Sequence, residues 1–316
     1  MNQPAYVIRE ADEVILLALA RFHYLTAAQV SRLFYPTMRD RNREAQRRTK
    51  DLADAGYILR LGVLPKPQYG RSPIVCTLSD KGRKYVQAAG ASVRPYFRPQ
   101  EEHRAYQNFP FMRHTLASID VLVAAERLCL DYDVSCPRML TERDLKQTAL
   151  RVDVPASAKG QVARNVAVIP DGWFQLEVGQ EPPMSIALEL DRATEEQKIW
   201  RQKVAAYSAW AADDGPYAEA FETDTLTIAV VCPDERRCRA LIDWTLRELQ
   251  LRNAEDSAEL FLFTHASPET TAPYQFFFAP VWQAVGHKQR LPLLETPTGF
   301  VPEAAVPRKG VVYLHA

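Results

Sequence analysis

Apolar positions in the first hundred residues follow helical spacing three times and then change period. From Ala11 to Phe22 they recur at Ile15, Ala18, Leu19 and Phe22, the stripe of an amphipathic helix. Thr26 with Gln29 three residues on makes a capping box, and Ala27, Val30 and Phe34 line the next face until Pro36 stops it. The third segment, RDRNREAQRRTKDLADAG, keeps Ala45, Thr49, Leu52 and Ala53 on one side and sets Gly56 as its C-terminal cap. Two β-rich runs, YILRLGVLP and SPIVCTLS, then flank the turn KPQYGR, and SDKGRKYVQAAG is a further helix.

Helix, helix, basic helix and hairpin is the order of a winged helix-turn-helix, whose third helix enters the major groove while the wing touches the adjacent backbone. The third helix carries Arg39, Arg41, Arg43, Arg47, Arg48 and Lys50, and the turn adds Lys66 and Arg71. Those eight cations are the candidate DNA contacts. A charge run by itself is usually a solvated face; its position on the reading helix is what favours DNA.

The pattern predicts a winged helix-turn-helix over 1–92, a linker over 93–108 rich in proline and alternating charge, a second domain over 109–285, and a C-terminal tail over 286–316. In the second domain, FMRHTLASIDVLVAAERLCL reads as a long helix. DVSCPRML, NVAVIPDGWFQLE, MSIALELD, TLTIAVVC and AELFLFTH read as strands, with two helices, TEEQKIWRQKVAAYSAWAA and DERRCRALIDWTLRELQLR, between the later ones. A mixed sheet flanked by helices is the economical architecture, so the fold class expected is α+β or α/β in two domains. Residues 141–165, polar and aperiodic, are expected as a long loop.

Composition changes this picture in one respect. The 316 residues carry 39 basic and 39 acidic side chains, but residues 1–100 hold 17 against 8, net +9, leaving 22 against 31, net −9, for the rest. The basic part suits a polyanion; the acidic part faces something else. Five cysteines lack CxxC or zinc-ligand spacing, and neither an export signal nor a membrane-length apolar run is present, so a reduced cytoplasmic protein is expected. Nucleotide-loop, serine-elbow and HExxH motifs are lacking.

The candidate chemistry lies in IPDGWFQLE and ALELDRATEEQK. Glu189 and Asp191 are two apart on a strand and share a face, and Asp171 follows VAVI and Pro170 on the expected antiparallel neighbour. Three carboxylates brought together repel and resist desolvation unless a hard cation such as Mg²⁺ or Mn²⁺ neutralises them. Thr194 with Gln197 would cap the following helix, which returns a lysine. Lys198 and Lys203 are about 140° apart on it, and Lys203 shares a stripe with Trp200 and Tyr207, so it is the better candidate. The bland readings stand beside these. Asp171 in PDG is a common turn residue, Asp191 can end its strand beside Arg192 or Lys198, and a tyrosine on such a stripe is more often core than nucleophile or DNA contact. His114 lies on an apolar stripe as a core or supporting residue, and Glu142 is a further ligand or a helix cap.

IPDG, then ALELD, then KVAAY resembles the PD-(D/E)xK nuclease core, an Asp at one strand and an acid-x-Lys triplet on the next. With the winged helix in front, the chain resembles the replication-relaxation family of plasmid and mobile-element proteins, which includes relaxases related to restriction endonucleases. The matching stretches are LTAAQVSRLFY, LADAGYILRL, GRSPIVCTLSDKG, RHTLASID with His114 and Asp120, TERDL with Glu142, and the PDG, ELDRAT and KVAAY segments. One position departs: Asp191 stands where the triplet usually has lysine. The resemblance implies a metal-dependent DNA endonuclease, or nickase, in which Asp171, Glu189 and Asp191 hold Mg²⁺ or Mn²⁺ and Lys203 assists. The alternative is a DNA-binding regulator or accessory factor with a degenerate nuclease fold. Duplex DNA is the implied partner, with other mobilisation or replication proteins and a homodimer as further candidates.

Overall fold

The computed structural model describes residues 6–62, 72–93, 109–155, 163–179, 181–193 and 195–296. It is a mixed α/β chain in two compact units, the first running through Val123 and the second starting at Ala124. Among the described residues no helix is long and apolar enough to cross a membrane.

The first unit runs α1 (Glu10–Phe22), β1 (Leu25–Thr26), α2 (Ala27–Phe34), α3 (Arg41–Asp54), β2 (Ile58–Leu61), β3 (Val75–Leu78) and α4 (Asp80–Ala88). Local chemistry sets these boundaries. The Gln29 amide N–H donates to Thr26 Oγ1 at 3.2 Å and the Thr26 N–H to Gln29 Oε1 at 2.8 Å, closing the capping box of α2. Beyond α3, Gly56 takes φ +79°, the left-handed turn that glycine adopts without a Cβ penalty. Ser79 opens α4 by accepting from the Gly82 N–H at 3.0 Å while donating to the Gly56 carbonyl at 2.6 Å. The three strands form one antiparallel sheet in the order β1, β3, β2. Ile15, Leu19, Phe22, Val30, Leu33, Ala45, Leu52 and Leu78 are buried in this unit. The turn between β2 and β3, with Lys66 and Arg71, lies outside the described residues.

A long helix, α5 (Phe109–Asp131), follows. Its first half joins the first unit, where Met112 and Leu116 pack with Val75. The Gln29 amide donates to the Leu116 carbonyl and to Asp120 Oδ1, both at 2.9 Å, and Arg32 pairs with the same carboxylate.

In the second unit, β8 (Gly172–Val178) and β9 (Met184–Leu190) are antiparallel, and β9, β10 (Thr227–Val231) and β11 (Phe261–Thr264) run parallel. The short strands β12 (Trp282–Ala284) and β13 (Arg290–Leu291) extend the sheet at one edge; β4 (Val134–Ser135) and β5 (Met139–Thr141) both pair with β8 at the other. Alternation sorts the side chains. Trp173 and Ala187 pack with Trp200 and Val204 of α7 (Gln197–Trp210) and with Leu241 of α9 (Glu235–Arg252), while Phe174 meets Phe277 of α10 (Pro273–Phe278) on the opposite face. The small helix α8 (Tyr217–Phe221) adds two aromatics, Tyr217 and Phe221, around Trp173 and Trp210.

Three expectations are corrected here. The described part of 141–165 is not a loop: it holds α6 (Glu142–Gln147) and β6 (Leu150–Val154), which pairs with β7 (Arg164–Val168) in a separate hairpin lying on α7. Val152, Val154 and Val168 are its buried side. NVAVIPDGWFQLE is two strands in two sheets, because Pro170 lacks the N–H that would continue the ladder. DVSCPRML is likewise two short strands. The segment after 286 begins as a sheet edge, with the Leu293 and Leu294 N–H groups donating to the Phe277 carbonyl at 3.0 and 2.9 Å.

Candidate functional site

Pairing of Gly172 with Leu188, continued by one residue, sets Asp171 opposite Glu189 at the end of the β8–β9 pair, on the face that α7 covers. Asp171 is tied to the next strand twice: its N–H donates to the Leu188 carbonyl at 2.8 Å, and its Oδ2 accepts from the Leu190 N–H at 2.8 Å. Glu189 is 2% exposed, and α7 answers its charge. Lys203 Nζ lies 2.7 Å from Oε2, and the Tyr207 hydroxyl donates to Oε1. Lys203 and Tyr207 are four residues apart, one helical turn, so both reach the same carboxylate.

The electrostatics follow from burial. Loss of water pushes the Glu189 carboxyl up to about 7, with Lys203 opposing and the Asp171 charge adding to the rise. Burial alone would lower the Lys203 ammonium, but Glu189, Asp171 and Glu195 outweigh it and raise it above the ordinary lysine value. Burial, then the Glu189 charge, raises Tyr207 well above an ordinary phenol. Tyr207 is therefore a protonated donor packed against Trp210 and Phe261, which is the core role among its readings. Lys198 is exposed on the first turn of α7. That helix starts at Gln197 with Glu196 in the cap position, and Thr194, expected to cap it, lies outside the described residues.

Asp191 takes a different partner. Arg237, from α9, donates from Nε to Oδ2 at 2.7 Å and from Nη2 to Oδ1 at 2.9 Å, and Nη2 also reaches the Glu195 carbonyl at 2.7 Å. The guanidinium lies over Trp244 at 5.0 Å. The Ala193 N–H completes the cradle of Asp191 at 3.0 Å. Glu195 in turn places its carboxylate 2.5 Å from Lys203. Arg237 and Glu195 were not among the residues singled out from sequence; no local pattern announces that Arg237 meets Asp191, 46 residues away.

Glu142 is the first residue of α6 and pairs with Lys146; the cap is Thr141, whose N–H and hydroxyl both donate to Asp144 Oδ2 at 2.9 Å. His114, half-buried, lies in the part of α5 that belongs to the first unit.

The basic helix divides its cations. Arg48 is structural: it pairs with Glu44 and, at 3.1 Å, with the fully buried Asp12. Arg47 is shared by Glu44 and Asp51, and Lys50 meets Asp54 at 2.5 Å, both pairs on the exposed face. Arg39, Arg41 and Arg43 are exposed and make no ion pair among the described residues.

Among the described residues no three Asp, Glu, His or Cys side chains gather in a group able to hold a metal ion. The expected three-acid set is divided because Arg237 commits Asp191. The pair Asp171 and Glu189 is what remains to fit a hard divalent cation: two carboxylates whose mutual repulsion contributes to the raised Glu189 pKa, a cost a cation would relieve.

These features define a mixed α/β protein with a basic N-terminal unit and an acid-lysine cluster at the end of a mixed sheet. The pattern of the replication-relaxation family matches residues 16–223, and the chain belongs to that family. No curated protein and no solved structure matches it.

Proposed function

We propose that the protein docks on duplex DNA of a plasmid or other mobile element through a winged helix-turn-helix in its first unit. We further propose that it nicks or processes that DNA through a PD-(D/E)xK-type centre in its second. Family membership supports a role in replication or relaxation of such elements. The observation that carries the finer reading is the meeting of Lys203 with Glu189, across from Asp171. It supplies the acid, acid and lysine of that nuclease core with the lysine delivered from a helix. Asp171 and Glu189 would hold Mg²⁺ or Mn²⁺, which supplies Lewis acidity towards a phosphate and a bound water of lowered pKa. Lys203 places a positive charge beside that phosphate, Tyr207 fixes the rotamer of Glu189, and Arg237 ties Asp191 and the Glu195 carbonyl to α9.

The internal neutralisation of Glu189 favours a second reading, a DNA-binding accessory factor whose acids serve only the fold. Calorimetric titration with Mn²⁺ separates the two. Binding by the wild type that is lost in Asp171→Ala supports the nuclease reading, and its absence in both, alone and with duplex DNA added, leaves the accessory factor.

A further inference from the structure

Resting on the docking reading above, we infer that Arg43 and Gln46 are the residues of α3 that read base edges, and that the duplex they select carries a guanine and an adenine at neighbouring base pairs.

Three other cations of the helix are already engaged. Arg48 is consumed by Asp12 and Glu44, Arg47 by Glu44 and Asp51, and Lys50 by Asp54. Each carboxylate on α3 thus holds back one or more cations that would otherwise bind phosphates without regard to sequence. Arg43 is held by none among the described residues. Taking the buried Ala45 as zero, the helical advance puts Arg43 at about 160° and Gln46 at about 100°. Both are exposed, and at i and i+3 they are neighbours on the surface. Asn42 is exposed as well but, at about 60°, sits next to the buried Ala45 and Thr49 at the margin of this face.

Gln46 is the informative member. A neutral amide adds nothing to charge neutralisation, so it is poorly explained as a phosphate contact in the middle of a cationic stripe. It offers one donor and one acceptor side by side, the complement of adenine N7 and N6 in the major groove. Arg43 presents the paired donors that match guanine O6 and N7. The two side chains are separated by about 4.5 Å of helix rise, close to the base-pair step of about 3.4 Å, so their targets are adjacent or nearly so. Arg39 and Arg41, at the entry to the helix, remain for the flanking phosphates.

The test is selection of bound duplexes from a randomised pool by the full chain, repeated with Gln46→Ala, Arg43→Ala and, as a control, Asn42→Ala. The expected wild-type motif contains a G·C and an A·T pair at adjacent or nearly adjacent steps. Gln46→Ala erases the preference at the A position and weakens binding to the selected duplex about ten- to hundredfold, with the salt dependence unchanged because no charge is removed. Arg43→Ala erases the preference at G, and Asn42→Ala leaves the motif intact. A motif that persists unchanged in Gln46→Ala and Arg43→Ala, or duplex binding with no enriched sequence, overturns the inference while leaving docking in place. Failure to bind any duplex overturns docking itself and this inference with it.

Discussion

Arg237 grips Asp191 through both carboxylate oxygens, at 2.7 and 2.9 Å, although two helices and a strand separate the two in sequence. The Asp191 side chain is 1% exposed and that of Arg237 is 14% exposed, so neither charge has water to fall back on. Removing one partner strands the other. Arg237→Ala is expected to destabilise the second unit by about 3–5 kcal/mol, whereas the double variant Asp191→Asn with Arg237→Met, which removes the buried charge and keeps an acceptor for the Ala193 N–H, should cost much less. Denaturant unfolding of the three proteins measures this. Equal losses in the single and double variants would show that the ion pair is not the source of the effect.

Glu189 gives a pH signature with a definite sign. Its carboxyl titrates near 7 when folded against an ordinary 4.5, so between those values the folded state binds a proton that the unfolded state has released. Stability contributed by the neutral form is therefore present at and below about pH 4.5 and is lost as pH rises through 7. The difference across that window is at most about 3 kcal/mol. Melting temperatures of wild type and Glu189→Gln, compared from pH 5 to 8, should diverge as the pH rises, with the wild type falling relative to the variant. Parallel curves would place the Glu189 titration outside this range.

What the sequence disclosed about these residues followed the range of the interactions involved. The Thr26–Gln29 box, the stop at Pro36 and the glycine after α3 are local, set by three or four neighbouring residues, and the structure has them where the pattern put them. LRVDV alternates in period two and could have been read as a strand, but at five residues beside a polar stretch it is easily taken for loop. TERDL contains its cap, Thr141 with Asp144, but the carboxylate is one carbon shorter than the usual glutamate of a capping box, so the pattern is weak. Lys203 was placed by helical period, which is a local rule. Arg237 and Glu195 were not, because their partners are fixed by how α7 and α9 lie on the sheet, and a residue-by-residue pattern carries no such distance.

Arg48 and Arg39 look alike in sequence and differ in the fold. Arg48 supports the buried Asp12, so Arg48→Ala should lower the stability of the first unit by about 3 kcal/mol and leave the salt dependence of DNA affinity as it is. Arg39→Ala with Arg41→Ala should leave stability unchanged and reduce the slope of log affinity against log salt by about two. Fluorescence anisotropy over a salt series, paired with thermal melts, reads both effects. The reverse assignment would place Arg48 on the DNA.

Gly82 is required by space, not by φ. A Cβ there would stand 2.0 Å from the Tyr57 carbonyl oxygen, a backbone atom that already accepts the Ser79 N–H at 3.0 Å. Because the first turn of α4 is fixed to this corner by Ser79 and by Lys81, which donates to the Ala55 carbonyl at 2.8 Å and lies over the Tyr57 ring, the clash cannot be relieved by a rotamer change. Either α4 lifts or the turn at residues 55–57 moves, and that turn ends the basic helix. Gly82→Ala is therefore expected to cost about 1–3 kcal/mol and to speed hydrogen exchange at the C-terminal end of α3 and in the first turn of α4, with the second unit unaffected. Unchanged exchange in both segments would mean that the two elements approach each other less closely than 2.0 Å implies.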